Sequence, residues 1–126
     1  MSYFFKDLVV WQEAKTFALE VYDISDSFPK QEVYGMTSQI RRAVVSIASN
    51  IAEGQGRLTK GEFIQFLGHA RGSLLETVTQ LEIAGGRKYL TTERLNEVEQ
   101  KAFQLLRLLN ALIDSLREQK GRGAGA

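Results

Sequence analysis

The chain has 126 residues, 44% of them hydrophobic, and a formal net charge of +1. That length fits one domain with a buried core, and a charge so close to zero does not by itself point to a nucleic-acid partner. With no cysteine and a single histidine, His69, disulfides and thiolate metal centres are excluded and a tight zinc site lacks donors.

Lys6 and Asp7 interrupt the opening apolar stretch where a signal peptide needs its hydrophobic region, and no run approaches the roughly 18 apolar residues of a membrane span. A cytoplasmic protein with no membrane contact is expected. The only proline is Pro29, and glycines punctuate the chain at 54, 56 and 61, at 85 and 86, and again beyond 120. These marks divide it into four segments of helical periodicity with no alternating β-type run, which predicts an all-α domain over residues 1–120. Short connections between the segments predict an antiparallel, up-and-down four-helix bundle.

The first helix is expected over residues 10–27, with Trp11, Ala14, Phe17, Ala18, Val21 and Ile24 as its apolar stripe, ended by Phe28-Pro29 because the residue before proline avoids helical dihedrals. The second is expected over residues 33–53, where Met36, Ile40, Ala43, Val44, Ile47 and Ile51 recur at spacings of three and four, with Gly54 as C-terminal cap. Thr59 and Glu62 match a capping box and open the third, whose stripe is Phe63, Phe66, Leu67, Ala70, Leu74, Val78 and Leu81 and whose end is Gly85-Gly86. Thr91 or Thr92 caps the fourth, where Leu95, Val98, Ala102, Leu105, Leu109, Leu112 and Leu116 follow a seven-residue repeat. The GRGAGA tail, residues 121–126, has no apolar mass to dock and is expected to be disordered.

The second helix carries two apolar faces. Val45, Ala48 and Ala52 lie roughly 110° around the wheel from the Met36–Ile51 stripe. One reading has a wide stripe touching two helices of the same bundle; the other has Val45, Ala48 and Ala52 meeting another subunit. Between the faces runs a polar ridge of Gln39, Arg42, Ser46, Asn50 and Glu53, read as a structural hydrogen-bonded network. If Arg42 is buried it must meet a carboxylate, for which Glu76 on the third helix is favoured over Glu82, and its loss should then be strongly destabilising.

The run GMTSQIRRAVVSIASNIAEGQGR, preceded by FKDLVVWQEA and followed by FLGHARGSLLETVTQLEIA, resembles the bacterial four-helix-bundle family of 23S rRNA-intervening sequence proteins. The family's motif residues correspond to Gln39, Arg42, Ser46, Asn50, Glu53, Gly54, Gly72, Ser73 and Glu76. Departures occur at Ala48, where the family often has proline, at Val78, where it often has a carboxylate, and at Arg87-Lys88. The resemblance implies a homo-oligomer, a pentamer in known relatives, and association with RNA or ribonucleoprotein. A related group, the accessory variability determinants of retroelements, implies contact with RNA, DNA or a nucleic-acid enzyme.

The residues themselves support no chemistry of bond making. A phosphate loop is excluded because the glycines near Glu53 lack the GxxxxGK[ST] pattern. Bundle di-metal sites need Glu-x-x-His pairs, and none occurs. Ser46, Ser49 and Ser73 lack a nucleophile elbow, and His69 reads as a surface or interface hydrogen-bonding residue. The expectation is therefore a non-enzyme with no cofactor and no metal. Its candidate phosphate contacts are Arg41, Arg57, Lys60, Arg71, Arg87 and Lys88, for which the alternative is ordinary solvation of a helical surface. The alternative function is a protein-interaction or purely structural oligomeric scaffold.

Overall fold

The structure is a computed structural model that describes residues 4–125, with side chains for 4–118. It is all-α, with no strand among the described residues. Four helices follow in order: α1 (Val9–Asp26), α2 (Met36–Gln55), α3 (Lys60–Gly86) and α4 (Thr92–Gly125), with short 3-10 turns at Phe5–Asp7 and Lys30–Glu32. Each helix packs on its neighbour in sequence, and α1 returns to pack on α4, so the four close a ring around one apolar core. The expected disordered tail falls where side chains lie outside the described residues.

That core is the stripe pattern brought inward. Phe17 and Val21 of α1, Ile40, Ile47 and Ile51 of α2, Leu67, Leu74 and Leu81 of α3, and Val98, Leu105 and Leu109 of α4 are all buried in one cluster. Burying a side chain of this size stabilises by about 1.5–3 kcal/mol, which is the main force holding each helix to the ring. The widest of the four interfaces joins α2 and α3, and the sparsest joins α1 and α4.

The start of α2 and the role of Gly54 differ from the sequence reading, each because of a residue distant in the chain. α2 starts at Met36 rather than 33, because the chain first makes the Lys30–Glu32 turn, after which the Glu32 carboxylate accepts the Met36 amide at 3.1 Å. Tyr89 donates its hydroxyl to the other Glu32 oxygen at 2.8 Å, tying this start to the α3–α4 connection. The Met36 amide and the Tyr89 hydroxyl together hold the Glu32 carboxyl below its ordinary value.

Gly54 is not a cap; it lies within α2 and is buried, and a Cβ there would stand 2.7 Å from Phe66 Cβ. Packing requires this glycine. Thr59 does cap α3, accepting the Glu62 amide at 3.1 Å, and Thr91 caps α4 by accepting the Arg94 amide at 3.1 Å.

Gly85 and Gly86 are the last two residues of α3, as expected, but the left-handed residue of the turn that follows is Lys88, at φ 64°. The Tyr89 amide bonds the Ala84 carbonyl at 2.9 Å across this turn. A side chain pays a steric cost there that glycine avoids. Lys88→Gly should therefore stabilise the protein by up to about 1 kcal/mol, read as a raised melting temperature.

Candidate functional site

Two surfaces gather residues singled out by sequence, and a third set stays dispersed. The first is a groove between α2 and α3, about 290 Å³, lined by Gln39, Arg42, Ser46, Ser73, Glu76 and Gln80. At its floor the Ser46 and Ser73 hydroxyls lie 2.9 Å apart, and the Asn50 amide donates to the Ser46 carbonyl at 2.8 Å and to its hydroxyl at 2.9 Å. These three half-buried side chains join α2 to α3 through polar atoms, beside the apolar core rather than within it. Gln80 Oε1 is buried with no hydrogen-bond donor among the described residues.

Gln39, Arg42, Glu53 and Glu76 stand outside that network and are exposed. Arg42 and Glu76 border one groove but form no ion pair with each other, so the expected Arg42–Glu76 bond is absent from this chain and Arg42 is not a buried charge. Exposure removes the reason for a large stability loss. Arg42→Ala should change the unfolding free energy by less than about 0.5 kcal/mol in denaturant titration.

The second surface is an apolar groove between α1 and α2, about 430 Å³. Val45, Ala48 and Ala52 line it from α2, and Trp11, Ala18, Leu19 and Tyr22 from α1. Leu19 is 59% exposed and Val45 44%. The residues expected at a subunit interface thus share one concave face, and within a single chain that face is open.

The third set, the basic residues, is not brought together. Arg57 and Lys60 flank the α2–α3 turn, whereas Arg87 and Lys88 lie at the far end of α3, about 40 Å away at 1.5 Å per helical residue. Arg71 is exposed along α3. Arg41 is engaged within its own chain: it pairs with Asp26 at 2.7 Å, donates to the Ser25 hydroxyl at 2.8 Å and stacks over Tyr22. Arg57 lies over the Phe66 ring, and His69 is an exposed neighbour of the same ring.

Two charged clusters were not anticipated. Glu20 interrupts the α1 stripe between Phe17 and Val21 and is 8% exposed, with Arg94 bonded to one oxygen and Lys101 Nζ 3.0 Å from the other. Burial pushes its carboxyl up, but Lys101 and Arg94 outweigh burial and hold it below the ordinary glutamate value. An acid set between core positions at helical spacing is itself a signal that cations face it from a neighbouring helix.

On the opposite side of α4, Glu99 is hydrogen-bonded to Glu82 of α3. Burial first, and then the neighbouring carboxyl, push Glu99 up to about 7. Because the folded value is raised, folding takes up a proton and the pair weakens the fold increasingly as pH rises toward 7. Glu99→Gln should relieve this, with a stability gain that is full above pH 7 and vanishes below the unfolded value near 4.5, measurable as melting temperature against pH.

Among the described residues no three His, Asp or Glu side chains converge as a metal site, and no helix is long and apolar enough to cross a membrane. The sequence profile of the 23S rRNA-intervening sequence protein family matches residues 6–111. A crystal structure of a protein of unknown function from the S23 ribosomal protein family of Bacteroides thetaiotaomicron superposes with a TM-score of 0.78 at 25% identity, covering 84% of this chain and 96% of that one. No curated protein matches. A profile match over most of the chain places it in a family, and the chain belongs to the 23S rRNA-intervening sequence proteins.

Proposed function

We propose that this member of the 23S rRNA-intervening sequence protein family is a non-catalytic, cytoplasmic, up-and-down four-helix bundle that assembles with copies of itself, fivefold as in the family's known assemblies, and acts as an accessory binding protein for RNA or ribonucleoprotein. The observation that carries the self-association is the open α1/α2 groove, where Val45, Leu19 and Tyr22 present apolar surface to water. A contiguous apolar patch of this kind marks an interaction site.

The nucleic-acid half of the reading draws on the family and on repetition. One subunit offers only the pair Arg57 and Lys60 at one end and Arg87 and Lys88 at the other, too few phosphate contacts for useful affinity alone. A ring multiplies each pair by its number of subunits, and linked weak contacts gain avidity when one polymer reaches several of them.

Light scattering at micromolar concentration tests the assembly, and a stable single-chain mass would reject it. Gel-shift titration with structured RNA over a range of salt tests the binding. Retention that falls steeply with salt supports phosphate-led contact, and no retention at low salt rejects it. In the alternative reading, a protein-interaction or structural scaffold, a specific partner protein is recovered on pull-down and survives nuclease treatment.

A further inference from the structure

The polar groove between α2 and α3 holds three kinds of unused polar group, and neither phosphate contact nor self-association employs any of them. The first is an acceptor. Gln80 Oε1 is buried with no donor among the described residues, so folding has removed water from a carbonyl without replacing the lost hydrogen bond.

The second is a donor at the groove floor. The Ser46 and Ser73 hydroxyls share one hydrogen bond at 2.9 Å, and the Asn50 amide donates to Ser46 Oγ at 2.9 Å. Two hydroxyls carry two hydrogens, and their mutual bond uses only one. The other hydrogen has no acceptor among the described residues.

The third is a pair of opposite charges. Arg42 lies one turn before Ser46 on α2 and Glu76 one turn after Ser73 on α3, and both border the groove. Neither makes an ion pair or a hydrogen bond among the described residues. Cation and anion therefore face a common space, and whatever fills it must offer an acceptor to Arg42 and donors to Glu76 and Gln80. The space is about 290 Å³, just under the roughly 300–1,000 Å³ of most small-molecule sites. That size suits a molecule smaller than a nucleotide, and Glu76 would repel a phosphate.

We infer that the α2/α3 groove is a binding site for a free, small, polar α-amino acid. Its α-carboxylate takes the Arg42 guanidinium through two oxygens, the charge-assisted geometry that arginine favours. Its α-ammonium meets Glu76 and gives Gln80 Oε1 the donor it lacks. The spare serine hydrogen and the Gln39 amide, which also lines the groove, contact the polar side chain. A ligand of one charge would satisfy Arg42 or Glu76 and leave the other facing it unpaired. The site goes beyond the RNA reading, because it shares no residue with the candidate phosphate contacts.

Equilibrium dialysis of the whole chain against radiolabelled L-serine, L-asparagine and L-glutamine tests the site. At least one should bind with a dissociation constant below about 1 mM. Its N-acetyl form, which lacks the ammonium, and its α-amide, which lacks the carboxylate, should each compete at least about tenfold more weakly. Arg42 and Glu76 are exposed, so Arg42→Gln and Glu76→Gln should keep the fold, which circular dichroism checks. Arg42→Gln should weaken the amino acid about tenfold and leave the α-amide unchanged. Glu76→Gln and Gln80→Met should weaken the amino acid and leave the N-acetyl form unchanged. Retention of none of the three amino acids at about 10 mM overturns the site, and so does binding that all three variants leave as it was.

Discussion

Replacing Arg94 and Lys101 together by alanine should cost the fold about 3 kcal/mol, because it strands the Glu20 carboxylate at the α1/α4 seam. Glu20 is 8% exposed, while the side chains of Arg94 and Lys101 are 36% and 53% exposed. The three groups are thus unequal. Removing the acid leaves two cations that water can reach, so Glu20→Gln should cost only about 1 kcal/mol. Removing the cations leaves a charge that water reaches poorly. α1 and α4 share the sparsest interface of the ring, so little apolar contact is available to compensate.

The same cluster sets an acid limit on stability. Its pKa is depressed in the folded state, so the contribution is present above the unfolded glutamate value of 4.5 and is lost as pH falls through the lower folded value. Urea titration at pH 7 and at pH 4 measures both effects. The wild type should lose stability toward pH 4 more steeply than the double variant. Equal midpoints at pH 7 would show that apolar packing alone holds α1 against α4.

Periodicity made the helices legible because core burial acts at every third or fourth residue, and the four stripes repeat that spacing many times. Thr59 and Thr91 were legible as caps because a cap is a contact between residues three apart. The start of α2 was not legible, since it depends on Glu32, whose second oxygen is held by Tyr89, 57 residues away. Gly54 reads as a C-terminal cap because glycine after a helical stripe usually frees the backbone. Its reason is instead a neighbour on α3, and no local pattern contains that neighbour.

The surfaces divide in the same way. Val45, Ala48 and Ala52 share a face by helical geometry alone, and the groove they line needs only the addition of α1. The Ser46–Asn50 contact is likewise a one-turn relation, extended by Ser73 from α3. An Arg42–Glu76 pair required both burial and reach across two helices, and neither follows from spacing. The scattering of the basic residues to the two ends of α3 is a consequence of helix length, which the glycine positions already set.

Gly54→Ala should destabilise the protein by up to about 2 kcal/mol, and Gly54→Val by more. The methyl carbon would stand 2.7 Å from Phe66 Cβ and 3.0 Å from Phe63 Cδ1, and Phe66 Cβ is fixed to the α3 backbone, so no rotamer change removes the clash. Overpacking a tight site costs about 1–3 kcal/mol, against a gain of about 1 kcal/mol from replacing glycine in a helix. Gly56, two residues on, is the internal control. A Cβ there meets only carbonyl oxygens at 3.6 and 3.7 Å, so Gly56→Ala should be close to neutral. Thermal melts of the two variants side by side decide the matter, and equal melting temperatures would mean that α2 and α3 can separate at no cost. The consequence reaches the outer surface, because α2 carries Ala52 only two residues before Gly54. A displaced α2 end reshapes the floor of the α1/α2 groove, so Gly54→Ala should also weaken self-association, whereas Gly56→Ala should leave it unchanged.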